Sequence, residues 1–222
     1  METLHLTNSY FKSNSPINKL IMLLVVLITL ALVLISPSWK QAMLSVVLMA
    51  IIFGFAIVMI KKSQVTFTLT ESHFQQHLFK GGWVLRWTNI DRIGICTHEQ
   101  EGWHQPLPWI GIRLKHYSPY LNAICPRIAT EILLGQRALL YLGARQNNSE
   151  ISFEDIVLDP APYFDQNGIH YEGLLAMLAN RMKYQREFYG YDVFISANDL
   201  DREAEEFVGL ARRYLAAAEP DT

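Results

Sequence analysis

The sequence predicts an α+β protein: a pair of apolar helices, then an antiparallel sheet, then amphipathic helices. Three observations carry that expectation. Two long apolar runs, residues 17–35 and 41–60, contain one charged residue, Lys19. Short segments between Val65 and Lys115 alternate apolar and polar side chains, the period-two pattern of a half-buried strand. Beyond Pro126, apolar residues recur every three or four positions, as on a helix that buries one face.

Each apolar run approaches the roughly 20 helical residues that cross a bilayer core. We read them as two transmembrane helices joined by a short turn. The first is too long for the apolar core of a signal peptide, and Ser36-Pro37-Ser38-Trp39-Lys40 has no small-residue cleavage pattern. Asn14-Ser15-Pro16 reads as the start of the first helix, and Trp39 as an interfacial ring in the turn. Lys12 precedes the first run and Lys19 stands at its start, Lys61 and Lys62 follow the second, and Lys40 stands between them. The positive-inside rule therefore places both termini, and the body of the chain, in the cytoplasm. Beyond Lys19 near the start of the first, neither run carries an ionisable residue of the kind that marks a transport path. The pair is expected to be an anchor, with the lipid bilayer as an integral partner.

The chain has 222 residues and a net charge of −2. Its first 62 residues hold five of the 19 basic residues and one of the 21 acidic ones, leaving 14 against 20, or −6, for residues 63–222. An acidic body argues against nucleic acid as a partner, since phosphate binding needs clustered Lys and Arg. The two cysteines, Cys96 and Cys125, sit in apolar settings. They are too few for a disulfide framework and read as buried thiols.

Val65, Phe67 and Leu69 alternate with Thr66, Thr68 and Thr70, which predicts the first strand. Glu71-Ser72 is a turn, residues 74–80 a second strand, and Gly81-Gly82 a two-residue hairpin turn. Trp83, Leu85 and Trp87 mark a third strand, residues 93–97 a fourth and 109–115 a fifth, with a polar loop over 98–108. One buried helix is expected from Pro126, with Ile128, Ile132, Leu139 and Leu142 on it. Residues 150–165 hold five acids and two prolines and read as an irregular connection. Tyr171, Leu174, Leu175, Leu178 and Met182 define a helix with one apolar stripe and a basic end, Arg181, Lys183 and Arg186, that complements the helix dipole. Residues 191–196 form a last strand. Asn198 or Asp199 then caps a closing amphipathic helix carrying Leu200, Phe207, Val208, Ala211, Tyr214 and Leu215.

These segments resemble a bacterial pleckstrin-homology-type domain: residues 65–70, 74–80 and 83–87 with Ile90 at the start, and 191–196, Asn198-Asp199 and 200–215 at the close. Such domains often follow membrane helices. The resemblance implies a partial barrel built from 63–116 and 189–218, interrupted by a helical insertion over 117–188, after a membrane hairpin in residues 1–62. The whole arrangement is similar to an uncharacterised family of proteobacterial membrane proteins. That similarity implies residence in the inner membrane, but no catalytic or binding residue.

His73 and His77, with His98 and His104, are the residues a zinc site would use, but four apart on a strand is a poor ligand spacing. We assign no metal, cofactor or catalytic residue. The candidate ligand or partner contacts are Lys80 and Arg86, flanking Gly81-Gly82, and Trp103, standing in the polar loop. The expected function is a membrane-anchored cytoplasmic interaction or scaffold module with a protein partner. Lipid head-group sensing through Lys80 and Arg86 is the alternative, and a membrane-associated enzyme the remoter one.

Overall fold

The computed structural model describes residues 2–8, 16–100, 103–146 and 152–218. Lys12, Asn14, Ser15 and Glu150 lie outside the described residues. The chain divides into two compact units, residues 8–64 and residues 1–7 with 65–222. The first strand, β1 (Leu4–Thr7), precedes the helical unit but belongs to the second unit.

The helical unit consists of α1 (Pro16–Ile35) and α2 (Trp39–Ser63), which contact one another across a three-residue connection. Trp39 opens α2 instead of sitting in the turn. Among the described residues, α2 alone is long and apolar enough to cross a membrane as it stands; the apolar part of α1, Lys19–Ile35, is shorter. No residue of α2 is buried, and Leu44, Ile51 and Phe55 are exposed. Large apolar side chains left outside a protein core need an apolar surrounding.

In the second unit, β2 (Thr66–Leu69), β3 (His73–Leu78) and β4 (Gly81–Arg86) continue from β1 into a four-stranded antiparallel sheet, order β1-β2-β3-β4. The β3–β4 turn is Phe79-Lys80, not Gly81-Gly82, because Leu78 pairs with Gly81. The glycines lie in the strand itself. Gly81 has φ 143°, and a Cβ on Gly82 would stand 2.1 Å from the Gln76 carbonyl oxygen. The positive φ of Gly81 and the close backbone approach at Gly82 need them there.

A 3₁₀ turn at Trp87–Asn89 leads into β5 (Ile90–Gln100) and β6 (Trp103–Leu114). The expected polar loop over 98–108 is strand: Thr97 pairs with Pro106, His98 with Gln105 and Gln100 with Trp103. The ladder supplies its own backbone hydrogen bonds and needs no apolar face. Pro106 and Pro108 sit beside a register shift between Ile95 and Thr97, a place where strands tolerate proline.

Helices α3 (Ser118–Ala123), α4 (Pro126–Gly135), α5 (Arg137–Gln146) and α6 (Phe153–Val157) follow. The single helix expected after Pro126 breaks at Gln136, whose buried side chain donates to the Phe194 carbonyl at 3.2 Å. The connection over 150–165 contains α6 and β7 (Tyr163–Phe164), which pairs with β8 (His170–Tyr171) across Asn167-Gly168. Tyr171 is thus in a strand, and α7 spans Gly173–Tyr189. Residues 117–188 do not stand apart: Tyr120, Leu121, Ile128, Ala176 and Met182 share one core with Phe67, Phe74 and Trp87.

Strand β9 (Val193–Ser196) joins β5 and β6 in a three-stranded antiparallel sheet, order β5-β6-β9. The residues expected to cap the last helix form a short 3₁₀ turn, Ala197–Asp199, in which Ser196 Oγ accepts from the Asn198 N–H. Helix α8 (Ala204–Ala217) lies against β5 and β6. Its Phe207 packs edge-on to Phe67 with ring centroids 5.3 Å apart, and its Tyr214 stacks on Trp87 at 5.8 Å. Tyr214 also donates to the Glu2 carbonyl at 2.7 Å, which ties α8 to the segment that leads into β1.

Candidate functional site

The three residues singled out in the sequence do not converge. Lys80, in the β3–β4 turn, forms an ion pair with Glu131 of α4 at 2.6 Å. Arg86 ends β4, opposite His73, where it borders a cleft of about 330 Å³ with Val84 and Pro119. A strand as long as β4 separates the two cations by about 15–20 Å, so they make no shared phosphate cup. Trp103 is 77 % exposed and opens β6. Of the histidines, His77 contacts Thr68 Oγ1 at 3.2 Å and His73 contacts Ser72 Oγ at 2.6 Å. Among the described residues, no three metal-ligating side chains gather.

A different site is assembled where β6 runs into α3, beside the β7–β8 turn and α7. It is a cleft of about 290 Å³ bordered by Lys115, His116, Tyr163, Gln166, Lys183 and Arg186. Its floor is a buried ion pair. Arg186 Nε and Nη2 donate to Asp192 Oδ1 and Oδ2 at 2.6 and 2.5 Å, and Nη2 also donates to the Leu114 carbonyl at 2.7 Å. Asp192 accepts further bonds from the Leu114 N–H and the Tyr117 hydroxyl, both at 2.7 Å. Its side chain is fully buried, whereas that of Arg186 is 31 % exposed. The guanidinium also lies 4.8 Å from the Tyr117 ring centroid.

The local chain explains this pairing. Gly190, in the left-handed conformation (φ 75°), ends α7 and turns the chain into β9. The ring of Tyr191 then lies over Gly94 and Gly111, which pair across β5 and β6; a Cβ on either would stand 2.3 Å from it. That docking brings Asp192 back under Arg186. Asn89 clamps the opposite wall, donating to the His116 carbonyl at 2.9 Å and accepting its N–H at 3.0 Å.

Electrostatics follow from the same contacts. The hydrogen bond to Asp192 raises the Arg186 pKa and keeps it charged. Burial, with the adjacent Asp192 charge, pushes the Tyr117 phenol far up. Asp165 accepts from the Ser118 hydroxyl and from the N–H groups of Asn167 and Ile169. The Ser118 bond is the main reason its carboxyl stays below the ordinary range. Burial, then the Asp165 charge, raises the Tyr163 phenol. Lys115 Nζ donates to the Thr88 carbonyl at 2.8 Å.

From the sequence, Arg186 is one of three basic residues that complement the dipole at a helix end. The signal that could have found the site is the Arg186-to-Asp192 interval across Tyr189-Gly190-Tyr191, an acid returning after a helix-ending glycine.

Residues 67–217 match the family described as Protein of unknown function (DUF2982), and the chain belongs to that family. No functionally curated protein and no solved structure matches it.

Proposed function

We propose that this protein is a membrane-anchored interaction module, with α1 and α2 crossing the bacterial inner membrane as a hairpin and the β-rich body in the cytoplasm. The observation that carries this reading is the pairing of Thr7 with Thr66. The chain leaves the sheet at the end of β1 and re-enters it on the neighbouring strand, with two apolar helices in between. An excursion that starts and finishes on one side of a bilayer crosses it an even number of times. The lysines flanking the helices favour the cytoplasm for that side. Two antiparallel sheets, of four and three strands, with α8 closing on the second, favour kinship with pleckstrin-homology-type domains.

The contact surface in this reading is the 117–188 segment with its cleft. Head-group sensing through Lys80 and Arg86 loses support, since the first is engaged by Glu131 and the second lies at the far end of β4. Confinement to the bilayer would raise the effective concentration of a membrane-borne partner and let modest contacts suffice.

Alkaline carbonate washing of vesicles tests the anchor: the intact chain should stay with the lipid, and its release overturns the reading. A fluorescent reporter fused to the C-terminus should glow in the cytoplasm, whereas an active alkaline phosphatase fusion reverses the topology. Deleting 117–188 would strip Tyr120, Leu121 and Ile128 from the core. The partner surface is therefore tested by Lys183→Glu, which should reduce partner co-purification without releasing the chain from the membrane.

A further inference from the structure

We propose that the cleft between the β6–α3 connection, the β7–β8 turn and α7 binds a tetrahedral oxyanion, the phosphate group of a small ester. The inference rests on the reading above only in taking this cleft as the contact site.

Hydrogen-bond capacity in the cleft is one-sided. The acids on its floor and rim are largely occupied: Asp192 is saturated by Arg186, Tyr117 and the Leu114 N–H, and Asp165 accepts from Ser118 and two backbone N–H groups. The donors are not. With Nε and Nη2 of Arg186 engaged, Nη1 has no partner among the described residues. Lys183 is exposed and makes no ion pair among them. The His116 ring, the Tyr163 hydroxyl and the Gln166 amide also border the cavity without a hydrogen-bond partner among the described residues. Lys115, Lys183 and Arg186 against Asp165 and Asp192 leave one net positive charge.

The arrangement of these donors selects the shape of the anion. A planar carboxylate is best held by two parallel N–H groups of one guanidinium fork. The Nε/Nη2 edge of Arg186 is already on Asp192, so only single donors remain. They come from three elements: His116 after β6, Tyr163 and Gln166 at β7 and its turn, Lys183 and Arg186 on α7. Donors arriving from several directions suit an acceptor with three or four oxygens in a tetrahedron. A volume of about 290 Å³ lies at the small end for ligand sites and suits a phosphate with a short ester arm. The phosphate could belong to a soluble ester or to a lipid.

The test uses the full chain in phosphatidylcholine nanodiscs, titrated with inorganic phosphate and followed by ³¹P line broadening and thermal shift, with acetate as control. The expected result is a saturable response to phosphate and none to acetate. Lys183→Ala should weaken it by about tenfold, the loss of one charge-assisted hydrogen bond. His116→Ala should weaken it as well, while Lys80→Ala leaves it unchanged. Phosphatidic acid added to the discs separates the sources. Competition with soluble phosphate assigns a lipid and undiminished binding assigns a soluble ester; both support the site. A flat titration in the wild-type chain, or a response equal in wild type, Lys183→Ala and His116→Ala, overturns it. A flat titration from a chain that resists carbonate leaves the anchor standing. A Lys183-dependent response from a chain that washes off does the reverse.

Discussion

Arg181 and Arg186 stand little more than one turn apart on α7, and the helix treats them in opposite ways. Arg186 meets a fully buried carboxylate with two short hydrogen bonds. Arg181 is 1 % exposed, and its Nη2 reaches only carbonyls, Val157 at 2.5 Å and Leu133 at 3.4 Å. Its Nε and Nη1 are buried without a hydrogen-bond partner among the described residues. Burial first, then the charge of Arg137, lowers its pKa to about 10. One guanidinium closes the floor of the candidate site; the other is carried in the core at a cost. A basic residue near a helix end therefore says little about its energetic sign until its neighbours are known.

The sharpest way to break this contrast is Arg186→Met. It strands the Asp192 carboxylate in a site with no exposure, and removing one partner of a buried pair costs about 3–5 kcal/mol. Chemical denaturation of the detergent-solubilised chain, followed by tryptophan fluorescence, should show a destabilisation of that size. A loss below about 1 kcal/mol would mean that Asp192 does not need its cation.

Asp192→Asn should do less harm, about 2–3 kcal/mol. The amide oxygen still accepts one of the Leu114 and Tyr117 bonds, and the partly exposed Arg186 can turn to water. If it proved worse than Arg186→Met, the carboxylate's hydrogen bonds, and not its charge, would dominate the floor.

Arg181→Met should raise stability, by about 1–2 kcal/mol, because a thioether of similar length replaces a charge with unsatisfied donors. The sign of the pH dependence follows from the lowered pKa. The penalty on the wild-type chain is complete below pH 10 and eases as pH climbs from about 10 towards 12.5. The advantage of the variant should shrink over that interval. A destabilised variant, or an advantage that grows with pH, would show that Arg181 is better accommodated than its contacts imply.

The smallest effect should be Lys80→Ala, since both members of the Lys80–Glu131 pair are about half exposed. Such pairs contribute about 0–1 kcal/mol. A larger loss in the same denaturation experiment would make that bridge part of the core between β4 and α4.

The legible parts of the fold are those set by local pattern. Alternation located β2, β3 and β4 to within a few residues, and helical spacing located the body of α8. Errors arose where a local signal had a non-local cause. The polar stretch 98–108 read as a loop, yet β5 and β6 pair through it, with a register shift between Ile95 and Thr97 that accommodates Pro106 and Pro108. Gly81-Gly82 read as a turn, yet the positive φ of Gly81 and close contact of Gly82 with the Gln76 backbone need them in the strand. The apolar-stripe reading of α7 missed that Asn180, Arg181 and Gln185 are buried as well. Each finds a partner in a distant segment: Ala161, Val157 and Gln136 respectively. Lys80, Arg86 and Trp103 do not border the cleft, since neither a neighbouring glycine pair nor a polar stretch says which strand end a side chain occupies.

Composition and short-range periodicity were enough to tell where this chain is greasy, where it is pleated and where it coils, because those properties depend on residues a few positions apart. Which strands are neighbours, and which charges share a cavity, depended on contacts across dozens of residues. β1 rejoins its sheet across the whole helical excursion, and Asp192 meets Tyr117 from 75 positions away. Such contacts leave no periodic trace, since their stability comes from burial and hydrogen bonds that exist only once the chain has closed on itself.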